Sequence, residues 1–240
     1  TGSNAGRNVL GSQNSADGYG AGQNVIGSFN VAVGPVAGSN VSGYNNIAMG
    51  NVAGNSVTGS NNIALGLSAG NNLINANNNI ALGNSSGSNL TNVSNSTSLG
   101  QSANAVLTNS VALGSYSVAE TVAGKTGYVP SGVSAAQAAA IKDTTSTLAA
   151  VSVGDAANGK FRQINAVAAG TADSDAVNVA QLKGVDAKAS AGWNVGVNGQ
   201  AGANVAPGAT VDFSPTNSNL TVDRSGTNIQ IGLSNTLSLT

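Results

Sequence analysis

Apolar residues return along the first half of the chain at an interval that suits neither a helix nor an isolated hairpin. A pattern close to A-G-x-N-V-x-G-S-x-N-I-A-L-G repeats, with its Ala-Gly start at Ala5, Ala21, Ala37, Ala53 and Ala69. Its closing glycines are Gly18, Gly34, Gly50, Gly66, Gly83, Gly100 and Gly114, separated by 16, 16, 16, 17, 17 and 14 residues. The tails read Val31-Ala-Val-Gly, Ile47-Ala-Met-Gly, Ile63-Ala-Leu-Gly, Ile80-Ala-Leu-Gly and Val111-Ala-Leu-Gly, with Thr97-Ser-Leu-Gly as a degenerate copy. A helical hairpin needs about 30 residues and rejects this much Gly and Asn, whereas two short strands and two turns fit. The reading is a stack of coils whose strands pair in register about 4.8 Å apart, so that seven coils rise ~34 Å.

In Ile63-Ala64-Leu65 the first and third side chains share a face and Ala takes the other. The expectation is that Ile and Leu point into the roll, while Ala lies outside and lets something pack closely. Gly66 and Asn61-Asn62 are expected at positive φ in the turns. One coil then buries about two to four medium side chains, worth ~1.5–3 kcal/mol each when fully buried. Ordering the backbone costs ~1–2 kcal/mol per residue. So thin a roll calls for strand hydrogen bonds and Asn ladders, or for Ala-lined faces packed on other chains; a homo-oligomer is expected.

Val151-Ser-Val-Gly154 reads as one more repeat tail after an insertion. Within the insertion, Glu120 to Tyr128 is expected to form a hairpin-like excursion and Pro130-Ser-Gly132 a turn. Ser134-Ala-Ala-Gln137 matches a capping box and predicts a helix from Ser134 to about Leu148, weakened by Thr144 and Thr145. Ser174 or Asp175 is placed to cap a helix beginning near Ala176, on which Val179, Leu182 and Val185 or Asp186 begin a heptad-like seam. That seam is too short to stand alone and calls for partner chains. From Trp193 the period returns to 2: Thr210–Phe213, Asn219–Val222 and Asn228–Ile231 alternate, with turn signals at Asn198-Gly199 and Arg224-Ser-Gly226. A small antiparallel module of three to five strands is expected.

Composition narrows the chemistry. Of 240 residues only 7% are charged, 33 are Gly and 34 are Asn, with no His and no Cys. The 102 residues between Asp17 and Glu120 carry no Lys, Arg, Asp or Glu. A net charge of −1 offers no basic footprint for nucleic acid. No apolar run exceeds four residues, so no segment of this chain reads as a membrane-spanning helix. Without His or Cys the usual zinc, haem and thiol sites are missing.

The repeated N-N-I-A-L-G at Asn61–Gly66 and Asn78–Gly83 resembles the head repeat of YadA-like trimeric autotransporter adhesins. Arg162-Gln-Ile-Asn-Ala-Val-Ala-Ala-Gly-Thr-Ala-Asp-Ser-Asp-Ala-Val-Asn-Val-Ala-Gln-Leu-Lys183 is similar to that family's neck motif over nearly its whole length. It departs at Asn165 and Ala166, where the family has Thr and Asn. The stretch from about Ser115 to Ala150 is similar to a head insert, and Gly192-Trp-Asn with the strands after it to a Trp-ring head domain. The resemblance implies an all-β chain, a left-handed parallel β-roll (solenoid) trimer with a short helical insert and a neck, followed by a small antiparallel β Trp-ring-like domain. The implied segments are head repeats over 1–114, insert over 115–150, last repeat over 151–159, neck over 160–188 and Trp-ring-like domain over 189–240. It also implies a homotrimer on the bacterial cell surface, held by a C-terminal outer-membrane barrel that this fragment does not include. Its implied function is adhesion to extracellular matrix proteins, cell surfaces, sibling bacteria or abiotic surfaces.

No residue is assigned as catalytic, cofactor-binding or metal-ligating, no cofactor is expected, and the chain does not read as an enzyme. The Asp173/Asp175 pair reads as helix capping and ion pairing within the neck rather than as an acid/base couple. Gly124-Lys-Thr126 lacks the earlier glycine of a phosphate loop, because position 119 is Ala119, and Gly18-Tyr-Gly20 belongs to the repeat. Calcium-binding rolls need Asp in each repeat, where this chain has Asn. The Asn-x-Ser/Thr sites at Asn40, Asn84, Asn89, Asn92, Asn95 and Asn219 follow from the Asn content and do not argue for glycosylation. Trp193 is expected to be buried near a trimer axis rather than to serve as a ligand platform, and Tyr19, Tyr44, Tyr116 and Tyr128 are expected as exposed contact residues. Two other classes compete with this reading: a solitary ice-binding solenoid, opposed by scattered Thr at Thr58, Thr91, Thr97 and Thr108, and a phage tail-spike carbohydrate-binding module or enzyme. The enzyme form of the latter needs a carboxylate cluster that the roll lacks.

Overall fold

A computed structural model describes residues 1–238; the last two residues of the expected 189–240 segment lie outside the described residues. The chain divides into two compact units, Thr1–Asn165 and Ala166–Thr240. It is nearly all β: a parallel solenoid of about seven turns, two short helices, and small antiparallel sheets toward the end.

The roll carries one three-residue strand in almost every coil: β1 (Ser15–Asp17), β2 (Val31–Val33), β3 (Ile47–Met49), β4 (Ile63–Leu65), β5 (Ile80–Leu82) and β6 (Thr97–Leu99). A shorter coil follows, with β7 (Asn104–Ala105), β8 (Val111–Leu113) and β9 (Val118–Ala119). After the insertion, β10 (Val151–Ser152) returns to pair with β8, Val151 opposite Val111, so the expected extra repeat tail is present. The result is an eight-stranded parallel sheet in which like residues stack on like: Ile47 on Ile63 on Ile80, Ala48 on Ala64 on Ala81. The second wall of the roll holds single bridges rather than strands, running Leu10, Ile26, Ser42, Thr58, Ile74 and Thr91.

The two faces of the strand wall are the reverse of the expectation. Ala32, Ala48, Ala64 and Ala81 are buried inside the roll, whereas Val31, Ile47, Ile63 and Ile80 are half-buried on its outside, with Met49 and Leu82 exposed. The reason is the glycine of each Ala-Gly step. A Cβ on Gly54 would lie 2.7 Å from the Cβ of Ala48, and one on Gly38 2.8 Å from that of Ala32. The turn backbone therefore presses directly on the strand, and nothing larger than Ala fits between. Val25, Val41, Val57 and Leu73 line the interior from the bridge wall, across a cavity of about 220 Å³ from the Ala column.

A column of asparagines closes the interior. Asn46 donates from its backbone N–H and from Nδ2 to Asn30 Oδ1, at 3.0 and 3.1 Å, and from Nδ2 to the Gly59 carbonyl at 2.9 Å. Asn62 and Asn79 continue the ladder, which ends on Ser96. Every step satisfies amide groups that burial would otherwise penalise. Asn61 and Gly66 take positive φ as expected (59° and 130°), but Asn62 belongs to this buried ladder instead of the turn.

The insertion is closed at its base by Gly124 N–H to Ser146 O (2.7 Å) and Ala150 N–H to Thr121 O (3.0 Å), so residues 121–126 run against 145–150 without forming strands. Helix α1 (Ala135–Asp143) has the predicted Ser134/Gln137 capping box. It stops short of Leu148 because the hydroxyls of Thr144 and Thr145 turn back onto the carbonyls of Ile141 and Lys142 (2.9 and 2.7 Å). None of its residues is buried.

In the second unit α2 (Val179–Ser190) starts three residues later than expected. Asp175 is occupied in the preceding turn, where its Oδ2 accepts from the N–H groups of Thr171 (2.8 Å) and Ala172 (3.0 Å). Asn178 caps the helix instead, in a reciprocal box with Gln181. β11 (Trp193–Val195) pairs with β12 (Ala203–Val205), their loop turning at Asn198 (φ 52°) and Gly199 (φ 72°). β13 (Leu220–Ser225) pairs with β14 (Asn228–Leu233) across a two-residue loop. The four strands thus form two separate hairpins, and 210–213 is not a strand: Asp212 is engaged locally by the Ser214 hydroxyl (2.6 Å), just before Pro215.

Candidate interaction surface

Three apolar faces lie uncovered within their own units. The first is the outer strand wall of the roll. Val31, Ile47, Ile63 and Ile80 form one row, and Met49, Leu65, Leu82, Leu99 and Leu113 form another beside it, with no charge among them. A side chain of this wall that passes from roughly half exposed to buried contributes ~1 kcal/mol. The Ala-lined surface expected to perform packing between chains is interior, and Ile and Leu stand on the outer face in its place.

The second face is on α2. Val179, Leu182 and Val185 follow at three-residue spacing and remain 66, 61 and 65% exposed. An isolated helix of 12 residues is marginal in water, and its capping box leaves this stripe without a partner. The third is the β13–β14 hairpin, where Leu220, Val222, Ile229, Ile231 and Leu233 share one face. A two-stranded hairpin is marginal alone, and β14 has no buried residue. Trp193 is 55% exposed within a single chain, and Tyr19, Tyr44, Tyr116 and Tyr128 are exposed as anticipated.

The far end of the roll is finished by residues that sequence reasoning counted only as the start of the neck. A solenoid end leaves backbone groups that no further coil will satisfy. Arg162 takes that place: its guanidinium donates to the carbonyls of Val153 and Ser115 and to Ser117 Oγ (2.9 Å), lying against Gly114. Beside it, buried Asp155 pairs with Lys160 at 3.6 Å, and Lys160 sits 5.1 Å from the centre of the Tyr116 ring. The Asn158 side-chain amide, bonded to Asp155 at 2.7 Å, holds its carboxyl below the usual aspartate range, helped by the Asn158 N–H and the Lys160 charge and opposed by burial. Asp175 is lowered likewise, first by the N–H of Thr171 and then by that of Ala172. Asp173 and Asp175 therefore do not act as a helix-capping pair. Among the described residues no group of three or more Asp or Glu side chains is placed to hold a metal ion.

Over residues 163–205 the chain matches the family described as the coiled stalk of trimeric autotransporter adhesin. It is similar to the trimeric autotransporter adhesin AtaA of Acinetobacter sp. (strain Tol 5), at 59% identity over 69 residues, 29% of this chain and 2% of that protein. The autotransporter adhesin BadA of Bartonella henselae is 43% identical over 123 residues, 49% of this chain and 4% of that protein. The autotransporter adhesin BtaE of Brucella suis biovar 1 (strain 1330) is 38% identical over 82 residues, 33% of this chain and 11% of that protein. Together with the stacked repeats, these matches support a likeness to YadA-like trimeric autotransporter adhesins. It spans only a small part of the length of the curated relatives it matches.

Proposed function

We propose that this chain is the head region of a homotrimeric adhesin displayed on the bacterial surface, anchored in the outer membrane by a part of the protein beyond this fragment. The observation that carries the reading is the apolar strand wall, uncharged from β2 to β8 and uncovered along the roll, in a chain similar to proteins named as trimeric adhesins. Three rolls pack through that wall. The α2 stripe and the β13–β14 face then associate at the same stoichiometry, and Trp193 is covered by partner chains. In this reading 1–114 and 151–159 are head repeats, 115–150 is the insert, 160–188 the neck and 189–240 a Trp-ring-like domain. The head works by multivalent, non-catalytic contact with matrix proteins, cells, other bacteria or abiotic surfaces. Three weak contacts on one rigid body gain by effective concentration rather than by individual strength.

Two measurements test this. Light scattering of the chain fused after Thr240 to a trimeric coiled coil should give a chain-derived mass three times 23.1 kDa that persists on dilution. Beads coated with that trimer should attach to matrix-coated or bare surfaces, and beads carrying dissociated single chains should attach far less. A folded monomer in the fused form, or equal attachment per chain by monomer and trimer, would refute the reading.

A further inference from the structure

A row of asparagines also runs along the outside of the roll, distinct from the interior ladder. Asn45 Nδ2 donates to Asn61 Oδ1, Asn61 to Asn78 and Asn78 to Asn95, each at 3.1 Å. All four are exposed, unlike the interior ladder. Each middle amide spends one N–H and one lone pair on its neighbours and keeps one of each for an outside partner. In the two 17-residue coils, the added residues Asn75 and Asn92 extend the same corner with a further amide pair at 3.3 Å. The backbone does not demand asparagine here. These positions have φ near 57°, but a neighbouring column at the same φ is filled by Val36, Val52, Ser68 and Tyr116.

The row ends on two aromatic rings. Phe29 stands one coil before Asn45 in the same column, and Tyr44 adjoins it; they are 54 and 56% exposed. Phe29 also holds a left-handed backbone (φ 62°), which costs a non-glycine residue ~1–2 kcal/mol, and more than half of its surface stays exposed.

We propose that this amide row, with Phe29 and Tyr44 at its end, binds an extended, uncharged, β-linked glycan chain. Amides pair with sugar hydroxyls as both donor and acceptor, and aromatic faces take the apolar faces of sugar rings. Successive amides stand one coil apart, about 4.8 Å; a β-1,4-linked chain advances by a similar step per sugar and, although alternate sugars are turned over, presents hydroxyls on both edges. An extended peptide repeats like side chains every ~6.7 Å and runs out of step. Residues 18–119 of the surrounding roll carry no charge to recruit an acidic glycan. The proposal deepens the adhesive reading and rests on it.

The test immobilises cellotetraose, N-acetylchitotetraose and a hyaluronan oligosaccharide of equal length, and measures binding of the full 240-residue chain. A neutral tetrasaccharide should bind, with little change across a wide salt range. The double variant Asn61→Ala/Asn78→Ala and the single variant Phe29→Ala should each weaken binding about tenfold or more. Asn24→Ala, in the exposed row on the other side of the bridge wall, should leave it unchanged. Circular dichroism and melting confirm that each variant keeps its fold. Failure of both neutral glycans to bind, preference for the acidic one, or indifference to Asn61→Ala/Asn78→Ala would overturn the proposal. Bead attachment separates it from the wider reading: beads that still adhere while no glycan binds overturn the glycan site alone, and beads that adhere to nothing overturn both.

Discussion

Replacing Gly54 with Ala tests directly why the roll is filled with alanine. Gly54 has φ 56°, and its added Cβ would stand 2.7 Å from the Cβ of Ala48. Two costs follow. The left-handed backbone carries ~1–2 kcal/mol for any L-residue with a side chain. Forcing one more carbon against the Ala48 methyl adds ~1–3 kcal/mol. Gly54→Ala should therefore cost about 2–5 kcal/mol. The controls are Gly6, at φ 64° with nothing within 4 Å, and Gly20, at φ 62° with only the Gln23 side chain at 3.9 Å. Both should show the backbone cost alone, ~1–2 kcal/mol. Urea unfolding followed by circular dichroism, at one fixed protein concentration because association shifts the midpoint, gives the three values. If Gly54→Ala costs no more than the two controls, the turn does not press on the strand. The account of why Ala faces inward and Ile outward then fails.

Ile63→Asn with Leu65→Asn should leave each roll folded, because both side chains point outward, yet reduce the mass seen by light scattering from trimer to monomer; an intact trimer would show that the strand wall is not the contact. Asp155 is lowered by its bond to Asn158, so its contribution is complete above the ordinary aspartate range and disappears as pH falls through the lowered folded value. Asp155→Asn should then flatten the acid limb of the melting profile, whereas parallel profiles would contradict the assignment. Arg162→Met keeps the stem but orphans the carbonyls of Ser115 and Val153, costing about 1–3 kcal/mol, read as faster amide exchange confined to residues 150–160. Ala166 is exposed at φ 57°, where Asn is more at ease, so Ala166→Asn should raise the stability of the second unit by ~1 kcal/mol in a thermal melt.

Strand positions were legible because a 16-residue period leaves little freedom: once Ile47 stacks on Ile63, every other residue of the coil has its neighbour. The side each residue faces was not. Hydrophobicity alone sends Ile63 inward, and only the pressure of Gly70 on Ala64 reverses it; that is a contact between a turn and a strand, invisible to alternation within one strand. The start of α2 was misplaced because Asp175 and Asn178 have equal claim as caps. The Gln181 three residues after Asn178 was the signal that separated them. Arg162 was overlooked as a cap because the carbonyls it serves exist only at the end of a stack. The exposed amide row is equally hidden, since in a chain with 34 Asn no single one is conspicuous until the coils are aligned.

The hydrogen bonds that join coil to coil lie along the stacking direction, and the chain enters at one end of the roll and leaves at the other. Tension applied through those ends does not shear the whole ladder together. It strips coils from an end, one after another. Each stripped coil of 16 residues pays out about 50 Å of extended chain where it had occupied only ~5 Å of the stack. A roll built this way lengthens in steps under load and dissipates work at each one, while the coils still in place keep their surfaces intact.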